Sequence, residues 1–566
     1  MRIPVAMGAL ALILFAAPSG AFSWNASAVR PRVEGRAYAE FLAGYLKSRE
    51  GNLDAALDSY RKALKSAGNE PDILYEIANI EVKKGRLAEA RAALEKALSA
   101  EPGHTRTRYL LAGILAASGE RARAEAEYER VVAEDPGNEE AYLHLATLQA
   151  EQGKFPLAEK TLAALIGRVP DSYLGYYYRG KIRAVGKKYD EALADYDKAL
   201  SIAPGFDAAL VDSGTVLELL GRNSEAEERY ERALRASPDN PYIRERLGRV
   251  LVRQKKIDQA LGQYELLRKF SPTSIDVRTK LGLLYLDRNR FDDAINEFSF
   301  VLAAEPGNAQ VRYFLGSAYE EKGALPEAMQ AYRQVPEGSP AYRDAVVHLS
   351  MLLSRQKKTG EAIDLVRKLR EKFPADVDLM LFLGGLLEEA HRYEEARSAV
   401  AEATVKDPAN AGAWFSLGVI YDKLGKRDEV IASMEKAIRL DPRNATALNY
   451  LGYTFAERKM RLDEAEKLIR QALSIRPDDG YFLDSLWWVF YRRGDYKGAE
   501  EELRRALSFV PDDPVILEHL GDVLGAQGRD DEAAAQYEKA LAKGHENPGE
   551  VAAKLNRLRK AEQREK

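Results

Sequence analysis

Prolines recur along this chain at every thirty-fourth position. Eleven of them follow one another at that interval, the next comes one position later than the interval predicts, and the last returns to it. A period of this size, kept over most of a chain, indicates an array of small structural repeats rather than several independent domains. The prolines are Pro102, Pro136, Pro170, Pro204, Pro238, Pro272, Pro306, Pro340, Pro374, Pro408, Pro442, Pro477 and Pro511.

When Pro102 is placed at position 32 of a repeat, fifteen repeats fill residues 37–547. All of them have the length of the proline interval except the thirteenth, which is one residue longer. Position 20 is alanine in fourteen of the fifteen repeats, with Val430 as the exception. Position 8 is Gly, Ala or Ser in fourteen repeats, with Trp487 as the exception. Small side chains at one recurrent position allow two helices to pack closely.

Each repeat predicts two helices joined by a short turn. Apolar residues fall at positions 4, 7, 8 and 11, and again at 20, 24, 27 and 28, which are helical spacings. Repeat twelve shows the pattern well, with Trp414, Leu417, Gly418 and Tyr421 on the first helix. This W-x2-L-G-x2-Y motif and the period of the prolines resemble the tetratricopeptide repeat family. The resemblance implies an all-α fold, a right-handed α-solenoid of about fifteen helical hairpins.

One proline conflicts with a continuous second helix. Pro336 lies at position 28 of repeat nine, inside the predicted helix. Proline in a helix interior removes a backbone hydrogen bond and clashes with the preceding turn. We therefore expect this helix to end early and to leave an irregularity between repeats nine and ten.

Residues 548–566 are predicted to form a capping helix on the last repeat. Val551, Leu555 and Leu558 have the spacing i, i+4, i+7 in a segment that is otherwise rich in charge. The ends of a repeat array need a cover with a polar outer face. A solvated basic tail is the alternative interpretation.

The amino-terminal residues 1–21 have the pattern of a secretory signal peptide, followed by a linker over residues 22–36. An early Arg2, an apolar stretch over residues 5–17, and small residues at Ser19 and Ala21 make up this pattern. The apolar stretch is short for a membrane span. An uncleaved anchor, or cleavage at a second small-residue site near Ala28, remains open. We expect an exported protein that is periplasmic or envelope-associated and has no integral membrane span once the signal is removed.

Composition and motifs argue against catalysis, cofactors and metals. The chain has no cysteine, which excludes disulfides, thiolate metal sites and lipidation through cysteine. Lys and Arg (84) nearly balance Asp and Glu (88), so a nucleic-acid partner is not expected. No phosphate-binding loop, zinc-protease helix or serine-hydrolase elbow is present. The six histidines are scattered, and the repeats leave no stretch for a separate catalytic domain.

A partner is expected to bind the face formed by positions 2, 5, 6, 9, 12 and 13 of the first helices, which we call the partner face. In the tetratricopeptide family this face lines a concave groove. Here it carries aromatic residues, which are favoured at protein interfaces. They are Tyr177, Tyr178, Tyr313, Phe314, Phe382, Phe415, Tyr450, Tyr453, Trp488 and Tyr491.

On the partner face, basic residues lie in repeats seven and eight and acidic residues in repeats nine to twelve. A partner with oppositely charged ends would therefore bind in one direction along the face. Alternatively, these charges and aromatics are ordinary surface and packing residues. The carboxylate clamp of chaperone-binding relatives is absent, because Lys at position 5 and Asn at position 9 occur together in no repeat. An asparagine ladder at position 6, as in glycosyltransferase relatives, is absent as well. The basic residues are Arg246, Arg249, Arg253 and Lys280, and the acidic ones are Glu320, Glu321, Glu388, Glu389 and Asp422.

Two adjacent tryptophans differ in their expected roles. Trp487 occupies position 8, where a large ring must fill space between repeat fourteen and a neighbour. Trp488 occupies position 9 and is the better candidate for binding.

The stretch that begins LNYLGYTFAERK at Leu448 resembles the carboxy-terminal repeats of proteobacterial envelope tetratricopeptide proteins. Some of these are adaptors that bring substrates to a carboxy-terminal-processing protease. Trp487 and the missing lipidated cysteine depart from that pattern. The resemblance implies a non-catalytic adaptor or scaffold that binds a protein in the cell envelope. The alternatives are a scaffold for polysaccharide or outer-membrane export and, less favoured, a glycan-binding protein or enzyme.

Overall fold

A computed structural model describes residues 35–565, with side chains up to Arg559. Within these residues the chain forms 31 α-helices and no strand. The predicted signal peptide lies outside the described residues, as does the linker up to residue 34. The helices form two compact units, one ending at Arg288 and one beginning at Asn289.

The amino-terminal unit contains repeats one to seven and the first helix of repeat eight. From α1 to α30, odd-numbered helices are the first helices of the repeats and even-numbered helices are the second. The helices are α1 (Gly35–Arg49), α2 (Leu53–Ala67), α3 (Pro71–Lys83), α4 (Leu87–Ala100), α5 (Thr105–Ala117), α6 (Arg121–Glu134), α7 (Glu139–Glu151), α8 (Phe155–Arg168), α9 (Tyr173–Val185), α10 (Tyr189–Ile202), α11 (Asp207–Leu219), α12 (Asn223–Ala236), α13 (Pro241–Arg253), α14 (Ile257–Phe270) and α15 (Ile275–Asp287).

The carboxy-terminal unit contains the second helix of repeat eight, repeats nine to fifteen and one further helix, α31. The helices are α16 (Phe291–Ala304), α17 (Ala309–Lys322), α18 (Leu325–Arg333), α19 (Tyr342–Arg355), α20 (Thr359–Lys372), α21 (Val377–Glu389), α22 (Tyr393–Lys406), α23 (Ala411–Lys423), α24 (Arg427–Leu440), α25 (Ala445–Glu457), α26 (Leu462–Ile475), α27 (Gly480–Arg493), α28 (Tyr496–Phe509), α29 (Pro514–Ala526), α30 (Asp530–Ala542) and α31 (Pro548–Glu565).

Many first helices begin at an Asn or Asp at the last position of the preceding repeat. The side-chain oxygens of Asn138, Asn308 and Asn410 each accept a hydrogen bond from the backbone N–H three residues later. This bond satisfies a helix N–H that would otherwise lack an acceptor. The recurrent proline two residues earlier stays in the loop. Cap and proline together separate one hairpin from the next.

Glycine at position 8 lets the two helices of a hairpin pack closely. A Cβ atom on Gly248 would lie 2.8 Å from the ring of Tyr264, and one on Gly316 would lie 2.6 Å from that of Tyr332. In both pairs the tyrosine comes from position 24 of the same repeat. The alanines at position 20 are fully buried. The predicted all-α class of stacked helical hairpins is thus confirmed.

The second helix of repeat nine is short. Helix α18 has nine residues and ends at Arg333, whereas α20 in the next repeat has fourteen. The predicted early end is found, and the proline ring explains it. A turn follows, in which the Ser339 N–H donates to the Pro336 carbonyl at 3.2 Å.

Helix α31 lies on the last hairpin. Val551 and Leu555 are buried, and Leu558 packs at the edge of the same core. Lys554 Nζ lies 2.6 Å from an oxygen of Asp522 and 2.8 Å from one of Glu518, both on α29. The apolar side of α31 therefore faces the array, and ion pairs flank it.

Candidate functional site

First helices of successive repeats meet through a fixed pair of positions. Position 5 of one repeat contacts position 6 of the next, as in Tyr177 with Asp212, Glu245 with Lys280, Tyr313 with His348, Phe415 with Tyr450 and Asp484 with His519. These contacts join neighbouring first helices along the partner face. They also determine which of the predicted binding residues still have a polar atom or an exposed ring that could contact a partner.

The Tyr177 side chain is buried between repeats five and six. Its side chain is 8% exposed, and its hydroxyl donates to Asp212 at 2.9 Å. Burial and the nearby Asp212 raise the pKa of Tyr177, and burial raises the pKa of Asp212 itself. Tyr178 is half-buried, with its ring 5.3 Å from that of Tyr177. Of these two tyrosines, Tyr178 is therefore the one with exposed surface that a partner could contact.

Three arginines of α13 converge on one carboxylate, that of Glu218 on α11. Arg246 Nε and Arg253 Nη1 lie 3.0 and 3.1 Å from its oxygens, and Arg249 Nε lies 3.9 Å away. The Tyr230 hydroxyl also donates to Glu218, at 2.7 Å. One carboxylate cannot neutralise three guanidinium groups, so positive charge remains at this part of the partner face.

Lys280 is better neutralised than the arginines. Its Nζ lies 2.6 Å from Asp276 and 3.1 Å from Glu245. Burial disfavours its charge, but the hydrogen bonds to these carboxylates raise its pKa. Lys280 therefore serves mainly to join α13 to α15.

Tyr313 and Phe314 lie half-buried at the start of the carboxy-terminal unit. The Tyr313 hydroxyl is 3.3 Å from His348 Nε2, and His348 Nδ1 is 3.0 Å from Glu320. The ring of Phe314 packs 5.8 Å from that of Phe298. Glu320, part of the predicted acidic stretch, is therefore engaged within the protein.

The next four predicted aromatics lie on α21, α23 and α25. Phe382 is half-buried against the core of repeats nine to twelve. Phe415 and Tyr450 meet edge to face at 6.1 Å, and the Tyr450 hydroxyl donates to Asp422 at 2.8 Å. Tyr453 stands out, because its side chain is 42% exposed. The structure thus brings Phe415 and Tyr450 together and leaves Tyr453 the most accessible.

The two tryptophans of α27 are placed differently. Trp487 is 2% exposed, with its ring 4.8 Å from that of His519, as expected for a packing residue. Trp488 is half-buried and stacks in parallel on Tyr491 at 5.5 Å, while the Arg492 guanidinium lies 4.1 Å over its ring. Trp488 Nε1 is buried without a hydrogen-bond acceptor among the described residues. Trp488 and Tyr491 therefore form a stacked aromatic pair.

Two polar contacts on this face are not predicted from the sequence. One is the role of Glu218 as the shared partner of the arginines, and the other is the pairing of His519, whose Nδ1 lies 2.7 Å from Asp484. Pairing position 5 with position 6 of the next repeat would have identified the second contact. The contact of Glu218 would need a second rule, in which position 12 of one repeat pairs with position 13 of the next, as Glu218 does with Arg253.

Among the side chains that the structure describes, no group of three His, Asp or Glu is arranged to hold a metal ion within residues 35–565. None of the helices in this range is long and apolar enough to cross a membrane.

Comparison with known families identifies tetratricopeptide repeats in the amino-terminal part of the chain. Residues 41–104, 75–139 and 212–275 match one tetratricopeptide repeat family, and residues 115–176 and 173–206 match two others. Residues 289–558 match the family described as Cilia and flagella-associated protein 70 C-terminal domain.

Individual relatives are similar over short stretches or at low identity. A TPR repeat-containing protein of Pseudomonas aeruginosa is 48% identical over 52 residues, which is 9% of this chain and 9% of that relative. A tetratricopeptide repeat protein from Parabacteroides merdae is 17% identical, with 44% of this chain and 98% of that chain covered and a TM-score of 0.38. Yeast Tom70 is 15% identical, with 93% and 96% covered and a TM-score of 0.34.

Proposed function

We propose that this array of tetratricopeptide repeats is a non-catalytic scaffold of the cell envelope that binds a protein partner through its partner face. The observation that carries the proposal is the exposed Tyr453, on the same face as the aromatic pair Trp488 and Tyr491. Aromatic rings with a polar tip supply apolar contact area at little cost in conformational entropy. Tyr453 fills no core position, so its ring is available to a partner.

The charges beside these aromatics favour a particular kind of contact. Within the described part of the chain, neither Asp422 nor Glu457 forms an ion pair with a Lys or Arg, and the Asp422 carboxylate accepts a hydrogen bond from the Tyr450 hydroxyl. A partner segment that places apolar side chains on the rings and a Lys or Arg near the carboxylates would complement this surface. The carboxy-terminal unit is therefore the part of the chain that we assign to partner binding.

Photo-crosslinking tests this assignment. We expect a benzophenone side chain at position 453 of the full-length chain to capture a partner, and Tyr453→Ser to weaken its recovery in pull-downs. Phe509→Ser is the matched control, because Phe509 is equally exposed at 42% but lies on a second helix. Equal recovery with both variants, or no partner at all, would contradict the proposal.

Export and the adaptor role belong to the same proposal. The signal-like residues 1–21 and the resemblance that begins at Leu448 support an envelope scaffold whose partners include a periplasmic protease and its substrates. Cell fractionation tests the location: the full chain is expected in the periplasm or envelope, and a chain without residues 1–21 in the cytoplasm. Cytoplasmic recovery of both forms would overturn the envelope assignment.

A further inference from the structure

Two arginines of α13 keep most of their hydrogen-bonding capacity. The Glu218 side chain is 6% exposed and already receives the Tyr230 hydroxyl and Arg246. Arg249 Nε lies 3.9 Å from Glu218 and is buried without a hydrogen-bond acceptor among the described residues, while 33% of the Arg249 side chain is exposed and can reach a partner. Arg253 contacts Glu218 with Nη1 only, and 46% of its side chain is exposed. In the described range, Glu218 is the one carboxylate paired with either arginine. Each of the two arginines can therefore bind a further carboxylate from a partner.

The spacing of these arginines fits an extended ligand. Arg249 and Arg253 are four residues apart on α13, about 6 Å along the helix axis. Arg249 Nε and Arg253 Nη1 approach the same Glu218 oxygen, at 3.9 and 3.1 Å, so the two guanidinium groups lie close enough for one short segment to reach both. Side chains on one face of an extended peptide recur every two residues, about 6.6 Å apart. Two acidic residues separated by a single residue would therefore reach both guanidinium groups. Guanidinium groups bind carboxylates through paired hydrogen bonds, which gives the contact geometric specificity.

Apolar side chains accompany these arginines. Leu219, Val252 and Leu283 are exposed by 49%, 37% and 38%, and lie at positions 13, 12 and 9 of three successive first helices. Leu219 follows Glu218 directly, and Val252 precedes Arg253. A single exposed apolar residue needs no explanation, but these three occupy partner-face positions on the helix of the arginines and on the first helices of the two neighbouring repeats. All these residues belong to the amino-terminal unit.

We propose that this cluster binds an internal, extended segment of a partner protein in which two Asp or Glu residues, one residue apart, are accompanied by Leu, Ile, Val or Phe. The carboxylates would pair with Arg249 and Arg253, and the apolar side chains would cover Leu219, Val252 or Leu283. The inference rests on the scaffold function proposed above and adds a second, chemically distinct binding site in the other unit.

Fluorescence polarisation on the full-length chain tests the site directly. The probe is a labelled peptide of about twelve residues with the pattern Leu-Asp-x-Asp-Leu and an amidated carboxy terminus. We expect the double variant Arg249→Gln, Arg253→Gln to weaken binding about tenfold, and salt to weaken it further. The control is Arg168→Gln, Arg235→Gln, which removes the same charge from exposed positions on α8 and α12. This control should bind as the unchanged chain does.

Two further peptides complete the test. A peptide with Asn in place of each Asp should bind at least about tenfold more weakly. A peptide without acidic side chains but with a free carboxy terminus should also bind weakly. If either binds as well as the first, or if the arginine variant has no effect, the proposal is wrong. The scaffold function is judged separately, because capture at Tyr453 uses residues of the other unit and does not depend on these arginines.

Discussion

At the scale of the residue, the pairing of position 5 with position 6 of the next repeat determines what each side chain can do. Three histidines occupy position 6, yet their surroundings differ. His144 packs between the rings of Tyr109 and Tyr128, at 5.9 and 5.8 Å, whereas His519 lies 2.7 Å from Asp484. Repeat periodicity predicts the position of each histidine but not its charge, because the charge depends on the residue that the neighbouring repeat supplies.

His144 and His519 should therefore titrate on opposite sides of the usual histidine pKa of about 6.5. Burial lowers the pKa of His144. Burial also disfavours the charge of His519, but Asp484, with Asp522 and Glu518 nearby, raises its pKa. NMR titration of the chain with labelled histidine, assigned with His144→Gln and His519→Gln, measures both values. A pKa for His519 at or below that of His144 would contradict this expectation.

The signs of the stability changes follow from these shifts. The stabilisation from His519 is present below a pH of about 6.5 and is lost as pH rises through its raised folded-state pKa. The stabilisation from His144 is present above a pH of about 6.5 and is lost as pH falls through its lowered folded-state pKa. The repeats near His144 should therefore loosen in acid before those near His519.

Adjacent glycines of α21 offer a matched test of close packing at position 8. A Cβ atom on Gly384 would overlap Val400 Cγ2, whereas one on Gly385 has no neighbour within 4 Å. Valine has little rotamer freedom with which to give way. Gly384→Ala should lower the free energy of unfolding by about 1–3 kcal/mol, and Gly385→Ala should raise it by about 0.5–1 kcal/mol. Urea denaturation measures both, and equal effects would show that position 8 does not limit the packing.

At the scale of the element, sequence periodicity predicts nearly all helices because every hairpin repeats one apolar pattern. The interruption by Pro336 is also predicted, since it follows from the covalent structure of proline. The partner face is predicted less well. Its aromatics are found by position, but the burial of Tyr177 and the role of Glu218 depend on the angle between hairpins, which the period of the repeats does not specify.

Helix α31 should depend on Val551 for its attachment. Val551 is fully buried against the last hairpin, whereas Ala553 on the same helix is exposed. Burial of one valine side chain is worth about 1.5–3 kcal/mol, and an aspartate there could not be solvated. In hydrogen exchange, Val551→Asp should therefore lose protection in α31 and α30, whereas Ala553→Asp should change little. Equal protection in the two variants would mean that α31 is held mainly by its ion pairs, such as Lys554 with Asp522.

At the scale of the whole molecule, the contacts between helices are local. The main contacts join helices that are adjacent or next but one along the chain. Such arrays behave as one-dimensional chains whose stability is a sum of repeat energies and nearest-neighbour interfaces. A local change in stability should therefore spread only to nearby repeats, unlike the uniform loss expected of one globular core.

Hydrogen exchange on the Gly384→Ala variant tests this locality. Because α21 packs chiefly on α20, α22 and α23, amides of repeats ten to twelve should exchange faster, and the effect should fade with distance. Repeats one to five, which lie in the other unit, and repeat fifteen should exchange as in the unchanged chain. Gly385→Ala provides the control for a substitution on the same helix without overlap. Faster exchange throughout the chain would show that the repeats unfold as one cooperative unit. The two proposed binding sites could then not be treated as energetically independent of each other.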